Sequence, residues 1–295
     1  MSAVPPHDDL PADVLGPTVS RVMLGNQLQR LREAAGITPE QAGYEIRASR
    51  SKINRMENGR VRFKQRDVAD LLTLYGVADA KTRDAILSLV EQANSPGWWS
   101  KYGDVTADWF EAYLGLEAAA TVIRTFELQF VHGLFQTEAY ARAVTRLGHT
   151  AAPAEEIDRR VSLRLKRQDL LTRPQPPRVW SVIDEGALRR PLGGHEVMRA
   201  QLQRLIDVAE LRHVTIQVVP FGRGGHAAAG GAFTVLRFGE ADAPDVVYIE
   251  QLTSALYLDK HEDVDHYMEV MNTLSTEALT PAQTTRFLIE IIKDS

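Results

Sequence analysis

Apolar residues recur at three- and four-residue intervals through the first third of the chain, and continuous β-branched runs become frequent only beyond residue 179. Val22, Leu24, Leu28, Leu31 and Ala35 predict a helix over residues 22–35, which Gly36-Ile37 ends. Thr38 can cap a second helix, with Pro39 at its first position and Gln41 at its third, the arrangement of a capping box. Ser49 can cap a third, which runs from Arg50 to Glu57 and stops at Asn58-Gly59. Val68, Leu71, Leu72 and Tyr75 mark a fourth, and Ile86, Leu87 and Val90 a fifth. The expectation is an all-α head of five helices.

Asn94-Ser95-Pro96-Gly97 breaks that pattern. Beyond it, helices are predicted over 108–126, 136–147, 161–171, 197–211, 262–274 and 281–292. Strands are predicted over 179–183, 214–220, 233–238 and 246–250. This predicts an α+β body with a small sheet, mixed or antiparallel. The boundaries read as a loose tail over 1–19, a head over 20–94 and a body over 95–295.

The 295 residues are 44% hydrophobic and 25% charged, enough to bury a core in each part. Cysteine is absent, which excludes disulfides, thiolate catalysis and cysteine-ligated zinc. The first sixteen residues carry Asp8, Asp9 and Asp13 among prolines and do not form a secretory signal. No apolar run approaches the roughly twenty residues that span a bilayer. A cytoplasmic location without a membrane partner is expected.

Charge gives the head its chemistry. Residues 21–66 hold eleven Lys or Arg against four acids, a surplus of seven, whereas the whole chain is −5 and the remainder therefore −12. Such a split favours a head that faces nucleic acid. On the third helix Ile53 and Met56 face inward, leaving Arg50, Ser51, Asn54 and Arg55 outward, where they suit base edges. Thr38, Arg47, Ser49, Lys52, Arg60, Arg62 and Lys64 surround them as candidate phosphate contacts. The competing reading is one exposed helix whose arginines keep the protein soluble. Arg32 and Glu57 are expected to pair as a brace between the first and third helices, with ordinary surface charge as the alternative.

Candidate chemistry in the body is weaker. Trp98, Trp99, Tyr102, Trp109 and Tyr113 can pack one domain on the next or line an apolar cleft for a small-molecule effector. The basic side of helix 161–171, with Arg159, Arg160, Arg164, Lys166 and Arg167, is an ordinary surface face or a second DNA contact. The loop from Phe221 through Arg223 and His226 to Gly231 is rich in glycine, but it joins strand to strand and lacks the Gly-Lys-Ser/Thr of a phosphate loop. It is a plain connection or an effector-lining flap. Asp184, Glu185 and Glu250 stand near strand ends with nothing to bring them together as catalytic carboxylates. His261 and His266 miss the spacing that aligns zinc ligands on a helix. No cofactor, metal site or catalytic residue is expected.

The head resembles the XRE-type, lambda-repressor-like helix-turn-helix family. The likeness lies in Leu24-Gly25-Asn26-Gln27-Leu28 with Leu31-Arg32-Glu33-Ala34-Ala35-Gly36, in the run from Ser49 to Gly59, and in Leu71-Leu72-Thr73-Leu74-Tyr75-Gly76-Val77. The body resembles a domain that accompanies such heads in actinobacterial regulators likened to antitoxins and to the WhiJ type. That likeness lies in Gly97-Trp98-Trp99, Gly115-Leu116-Glu117-Ala118, Gly133-Leu134-Phe135-Gln136-Thr137, Arg164 with Arg167-Gln168, Asp184-Glu185-Gly186-Ala187-Leu188, Val218-Val219-Pro220-Phe221 and Val247-Tyr248-Ile249-Glu250. The resemblance implies that residues 50–55 enter the major groove, that the protein binds a two-fold operator in double-stranded DNA as a homodimer, and that a small protein encoded nearby is a common partner. It implies no catalysis. Pro39 stands where the family often has a glutamine able to touch phosphate, and Arg47 where it often has a turn glycine. The leading reading is a dimeric, sequence-specific transcriptional regulator modulated by a small molecule or a partner protein. The alternative is an antitoxin-like protein that sequesters a small partner and autoregulates its operon. An enzyme with a DNA-localising head stands further off.

Overall fold

A short left-handed step, at Gly36, Arg47, Gly59 and Gly76, follows each of the first four helices. The computed structural model describes residues 17–59, 61–239 and 244–294, and the chain divides into two compact units, Met1–Trp98 and Trp99–Ser295.

The first unit is all helical: α1 Pro17–Ala34, α2 Pro39–Glu45, α3 Arg50–Glu57, α4 Gln65–Leu74 and α5 Ala80–Asn94. Of the tail expected over 1–19, only residues 17–19 are described, and these open α1. Gly36, Arg47 and Gly76 have φ of 68°, 53° and 76°. After each, the next amide turns back to close the helix: Ile37 to Arg32 O, Ala48 to Gly43 O and Val77 to Leu72 O. The capping box of α2 forms in full, with Gln41 N donating to Thr38 Oγ1 at 3.2 Å and Thr38 N to Gln41 Oε1 at 2.8 Å. Leu24, Leu28, Ile53, Met56, Phe63, Leu71, Leu72, Ile86 and Val90 fill the core.

The second unit is α+β. Its helices are α6 Asp108–Ala119, α7 Glu138–Gly148, α8 Ala154–Arg167, α9 Glu185–Arg189, α10 His195–Ala209, α11 His261–Glu277 and α12 Pro281–Asp294. Its strands are β1 Val122–Glu127, β2 Arg178–Asp184, β3 Val214–Val219, β4 Phe233–Arg237, β5 Val246–Glu250 and β6 Ala255–Leu258. The sheet is mixed, in the order β3-β2-β1-β4-β5-β6. The pairs β1-β2 and β2-β3 are parallel, and β1-β4, β4-β5 and β5-β6 are antiparallel.

The helix expected over 108–126 ends at Ala119, and the β-branched and aromatic run Val122–Glu127 becomes the central strand β1. Six of those residues pair with β2 on one side, a gain that helical spacing alone does not register. Strand β6 was also missing from the sequence reading, because four residues are too few for a pattern. One sheet face, with Phe126, Val182, Phe233, Val235, Val247 and Ile249, packs against Val264, Met271 and Leu274 of α11. The outer edge of β3 is closed by Leu279 N, which donates to Val218 O, and by Thr284 Oγ1, which accepts from Val218 N.

Candidate nucleic-acid interface

Capping sets the direction of α3. Ser49 Oγ accepts from Lys52 N at 3.2 Å, so the helix starts at Arg50 with its first-turn amides facing outward. Ile53 and Met56 are 1% exposed and anchor the opposite side. Arg50, Ser51, Asn54 and Arg55 lie on the exposed side. Arg50 is paired at 3.0 Å with Glu40 of α2, both side chains being more than half exposed, so the contact is weak and exchangeable. Among the described residues the side chains of Ser51, Asn54 and Arg55 make no hydrogen bond or ion pair.

The surrounding candidates divide into engaged and open groups. Thr38 and Ser49 use their hydroxyls as helix caps. Lys52 Nζ is 2.8 Å from Asp67 Oδ2 in α4 and is half-buried, so this cation ties α3 to α4. Arg47, Arg62 and Lys64 are exposed. Arg60 lies outside the described residues. Sequence reasoning had not singled out Tyr44, which is 87% exposed on α2.

Behind the exposed face of α3, Arg32 grips Glu57 through Nε at 2.5 Å and Nη2 at 3.0 Å, and its Nη1 donates to Ile37 O at 2.9 Å. The Glu57 carboxylate holds the guanidinium above its ordinary pKa, against the penalty of burial. A side chain on Gly25 would meet Glu57 O at 2.4 Å, so this glycine lets α1 approach the end of α3 closely enough for the pair to form.

The second unit contains a second buried pair. Arg167 of α8 donates from Nε at 2.9 Å and from Nη2 at 2.7 Å to Glu117 of α6, both side chains being almost wholly buried. Its guanidinium passes Gly133, where a Cβ would stand 2.9 Å from Nη1. Burial pushes the Glu117 carboxyl up, but Arg167 outweighs it and holds the group below its ordinary value. Tyr113 Oη donates to Glu117 at 2.9 Å. Leu134 N donates to Nδ1 of His132, which puts the imidazole proton on Nε2, facing Tyr113 Oη at 3.4 Å. Burial pulls the His132 pKa down to about 4.

The basic side of α8 is therefore turned to internal use. Arg159 pairs with Asp104, Arg160 with Glu156, Lys166 with Asp169, and Arg164 donates to Gln136 Oε1 at 3.1 Å. Of the expected effector residues, Trp99, Tyr102 and Tyr113 are buried, and Trp98 and Trp109 half-buried. Tyr113 stacks at 4.2 Å on Tyr248, which donates to Glu250, so Tyr113 and Glu250 belong to one cluster. Arg223 pairs instead with Glu277 of α11, and His226 stands edge-on to Phe126 on the α11 face of the sheet. Among the described residues no group of three His, Asp or Glu is placed to hold a metal ion.

A helical unit with a capped, exposed and basic third helix, carried with a separate α+β unit, defines a helix-turn-helix protein, and a model described as helix-turn-helix domain matches residues 23–85. A family model described as domain of unknown function (DUF5753) matches residues 110–290, more than half of the chain, and the protein belongs to that family. No curated protein and no solved structure matches the chain. The helix-turn-helix domain supports a DNA-binding regulatory role. No helix among the described residues is long and apolar enough to cross a membrane.

Proposed function

We propose that the protein is a sequence-specific transcriptional regulator of the XRE type that binds a two-fold operator in double-stranded DNA as a homodimer. The observation that carries this reading is the face of α3, where Ser51, Asn54 and Arg55 are exposed without protein partners and Arg50 is held only by an exposed carboxylate. These four residues read base edges, while Arg47, Arg62 and Lys64 bind phosphate and set register. Lys52 contributes its positive field but stays with Asp67. One half-site is a small, mostly electrostatic contact, so specificity requires two heads about one helical turn apart. The second unit supplies dimerisation and responds to a small molecule or a small partner protein, as in the antitoxin-like, WhiJ-type regulators that the sequence resembles.

The test is recovery of genomic fragments by the full-length protein beside an Arg50/Asn54/Arg55 triple alanine variant, in about 0.15 M salt, where non-specific binding is damped. Enrichment of a short palindrome by the wild type alone supports the reading. Equal recovery of all sequences by both proteins would overturn it.

The antitoxin-like alternative draws on a different observation. Leu252 is 101% and Leu256 54% exposed on and beside β6, the terminal strand of the sheet. An exposed apolar edge is a surface to which an extended segment of a small partner protein can add a strand. Co-purification of a small protein encoded nearby, lost on Leu256→Lys, would favour it.

A further inference from the structure

The face of the sheet opposite α11 changes character along its length. Ile123, Val179, Leu236 and Val246 are apolar; two residues further along β1 the register aligns Ser181, Thr125, Thr234, Tyr248 and Tyr257 in a row of hydroxyls across five strands. Two residues further still, at the carboxyl ends of β1 and β5, stand Glu127 and Glu250 on that same face, with the start of β4 between them. This is where the strand order reverses: the chain runs outward from β1 through β2 to β3, then returns to β4 on the other side of β1. The carboxyl ends of strands at such a reversal are the usual ligand position in open α/β sheets.

The charges at this end are held near one another without closing. Glu127 accepts from Thr125 Oγ1 at 2.7 Å and Glu250 from Tyr248 Oη at 2.9 Å. Arg164 is one helical turn before Arg167 and among the described residues is hydrogen-bonded only to the neutral Gln136; Gln136 is itself fixed by donating to Val131 O at 2.6 Å. Glu127 and Glu250 are the acids whose fields act on Arg164, yet among the described residues no ion pair joins it to either. Arg167 is already neutralised by Glu117. Tyr113 and Tyr248 stack beside the cluster, and Ser181 Oγ, fully buried in the hydroxyl row, has no hydrogen-bond partner among the described residues. A guanidinium and two carboxylates kept apart in one partly buried place match a ligand that carries both charges.

We propose that this end of the sheet, where Glu127 and Arg164 are partly exposed and Glu250 is exposed, binds a small zwitterion of the amino-acid class, its ammonium held between Glu127 and Glu250 and its carboxylate by Arg164. The proposal rests on the reading of the second unit as the responsive part of the regulator. The ammonium end gains from the adjacent ring of Tyr248 as well as from the carboxylates, and the carboxylate end receives a planar, two-pronged donor.

Thermal melting of the full-length protein without DNA tests it. The probes are the common amino acids, each at about 10 mM, together with 1,4-diaminobutane as a cation alone and acetate as an anion alone. At about one hundred times Kd the melting temperature should rise by about 5 °C. Glu250→Gln changes an exposed side chain and keeps the fold, so at least a tenfold loss of apparent affinity in that variant, and again in Arg164→Gln, is expected. The proposal is overturned if no amino acid raises the melting temperature, if the rise survives both substitutions, or if diaminobutane or acetate produces it equally. Because no DNA is present, failure here leaves the operator reading standing, and failure of operator enrichment leaves this result standing.

Discussion

Arg47 occupies a backbone conformation that costs a side-chain-bearing residue about 1–2 kcal/mol, between the two helices α2 and α3 that carry the proposed DNA-reading surface. Its amide still closes α2 by donating to Tyr44 O at 3.1 Å. Arg47→Gly is therefore expected to raise the stability of the helical unit by about 1 kcal/mol, measured by urea unfolding, while lowering affinity for all DNA sequences alike through loss of an exposed cation. A variant that gained no stability would show that Arg47 is not strained. The ion pair behind it behaves oppositely. Glu57→Gln leaves the buried Arg32 guanidinium with only the exposed Glu33 carboxylate, at 3.5 Å, and should cost about 3 kcal/mol; an unchanged unfolding midpoint would show that the pair carries no structural weight.

At the scale of the element, α3 combines two kinds of polar residue that composition does not separate. Asn54 points outward without a partner, whereas Lys52, two residues earlier, is drawn into an ion pair with α4. Asn54→Ala is expected to lose about 1–3 kcal/mol of discrimination between operator and random duplex. Lys64→Ala should weaken both duplexes similarly and reduce the slope of log K against log salt by about 1. Lys52→Met should act chiefly on stability. Competition binding over a salt series checks all three, and equal losses on both duplexes for Asn54→Ala would refute its base-reading role. The elements of the helical unit were legible because their ends are written locally, in Thr38, Ser49, Gly36 and Gly76. Strand β1 was not, since what decides between helix and strand for Val122–Glu127 is the presence of β2 and β4 on its two sides, whose paired residues lie 56 positions away, as Glu127 with Ile183, and 107 to 115 positions away, as Phe126 with Phe233 and Val122 with Arg237.

At the scale of the whole second unit, two buried groups titrate in opposite senses. Burial pushes the Glu127 carboxyl from 4.5 up to about 7, and Glu250 adds to the shift against the Thr125 hydroxyl and the two arginines. Its protonated form is favoured in the folded state, so its contribution to stability is complete below pH 4.5 and is lost as pH rises through 7. His132 is held neutral, its pKa brought from 6.5 to about 4, so its contribution is present above pH 6.5 and is lost as pH falls toward 4. Between pH 7 and 4.5 the two oppose one another. Glu127→Gln is therefore expected to be more stable than the wild type at pH 8 and to lose that advantage on acidification, with the His132 slope laid bare. Melting temperature across pH 4.5–8 checks this; a constant difference between the two proteins would show that Glu127 titrates as an ordinary carboxyl.

The sequence by itself determined the features that depend on near neighbours: five helices with their caps, the outward set Arg50, Ser51, Asn54 and Arg55, the concentration of positive charge over residues 21–66, and the succession of an all-α part by an α+β part. Each follows from interactions within about one or two helical turns, which a linear pattern records. Only the tertiary structure decided how charged residues are spent. It gave the basic residues of α8 partners within the second unit, joined Arg167 to Glu117 across fifty positions, fixed Lys52 on Asp67, and brought Glu127 and Glu250 to one end of the sheet. The physical reason is that a charged side chain carries no periodic signature of its destination: whether it meets solvent or a buried counter-charge depends on which distant backbone folds over it, and burial raises the strength of that choice from near zero to several kcal/mol.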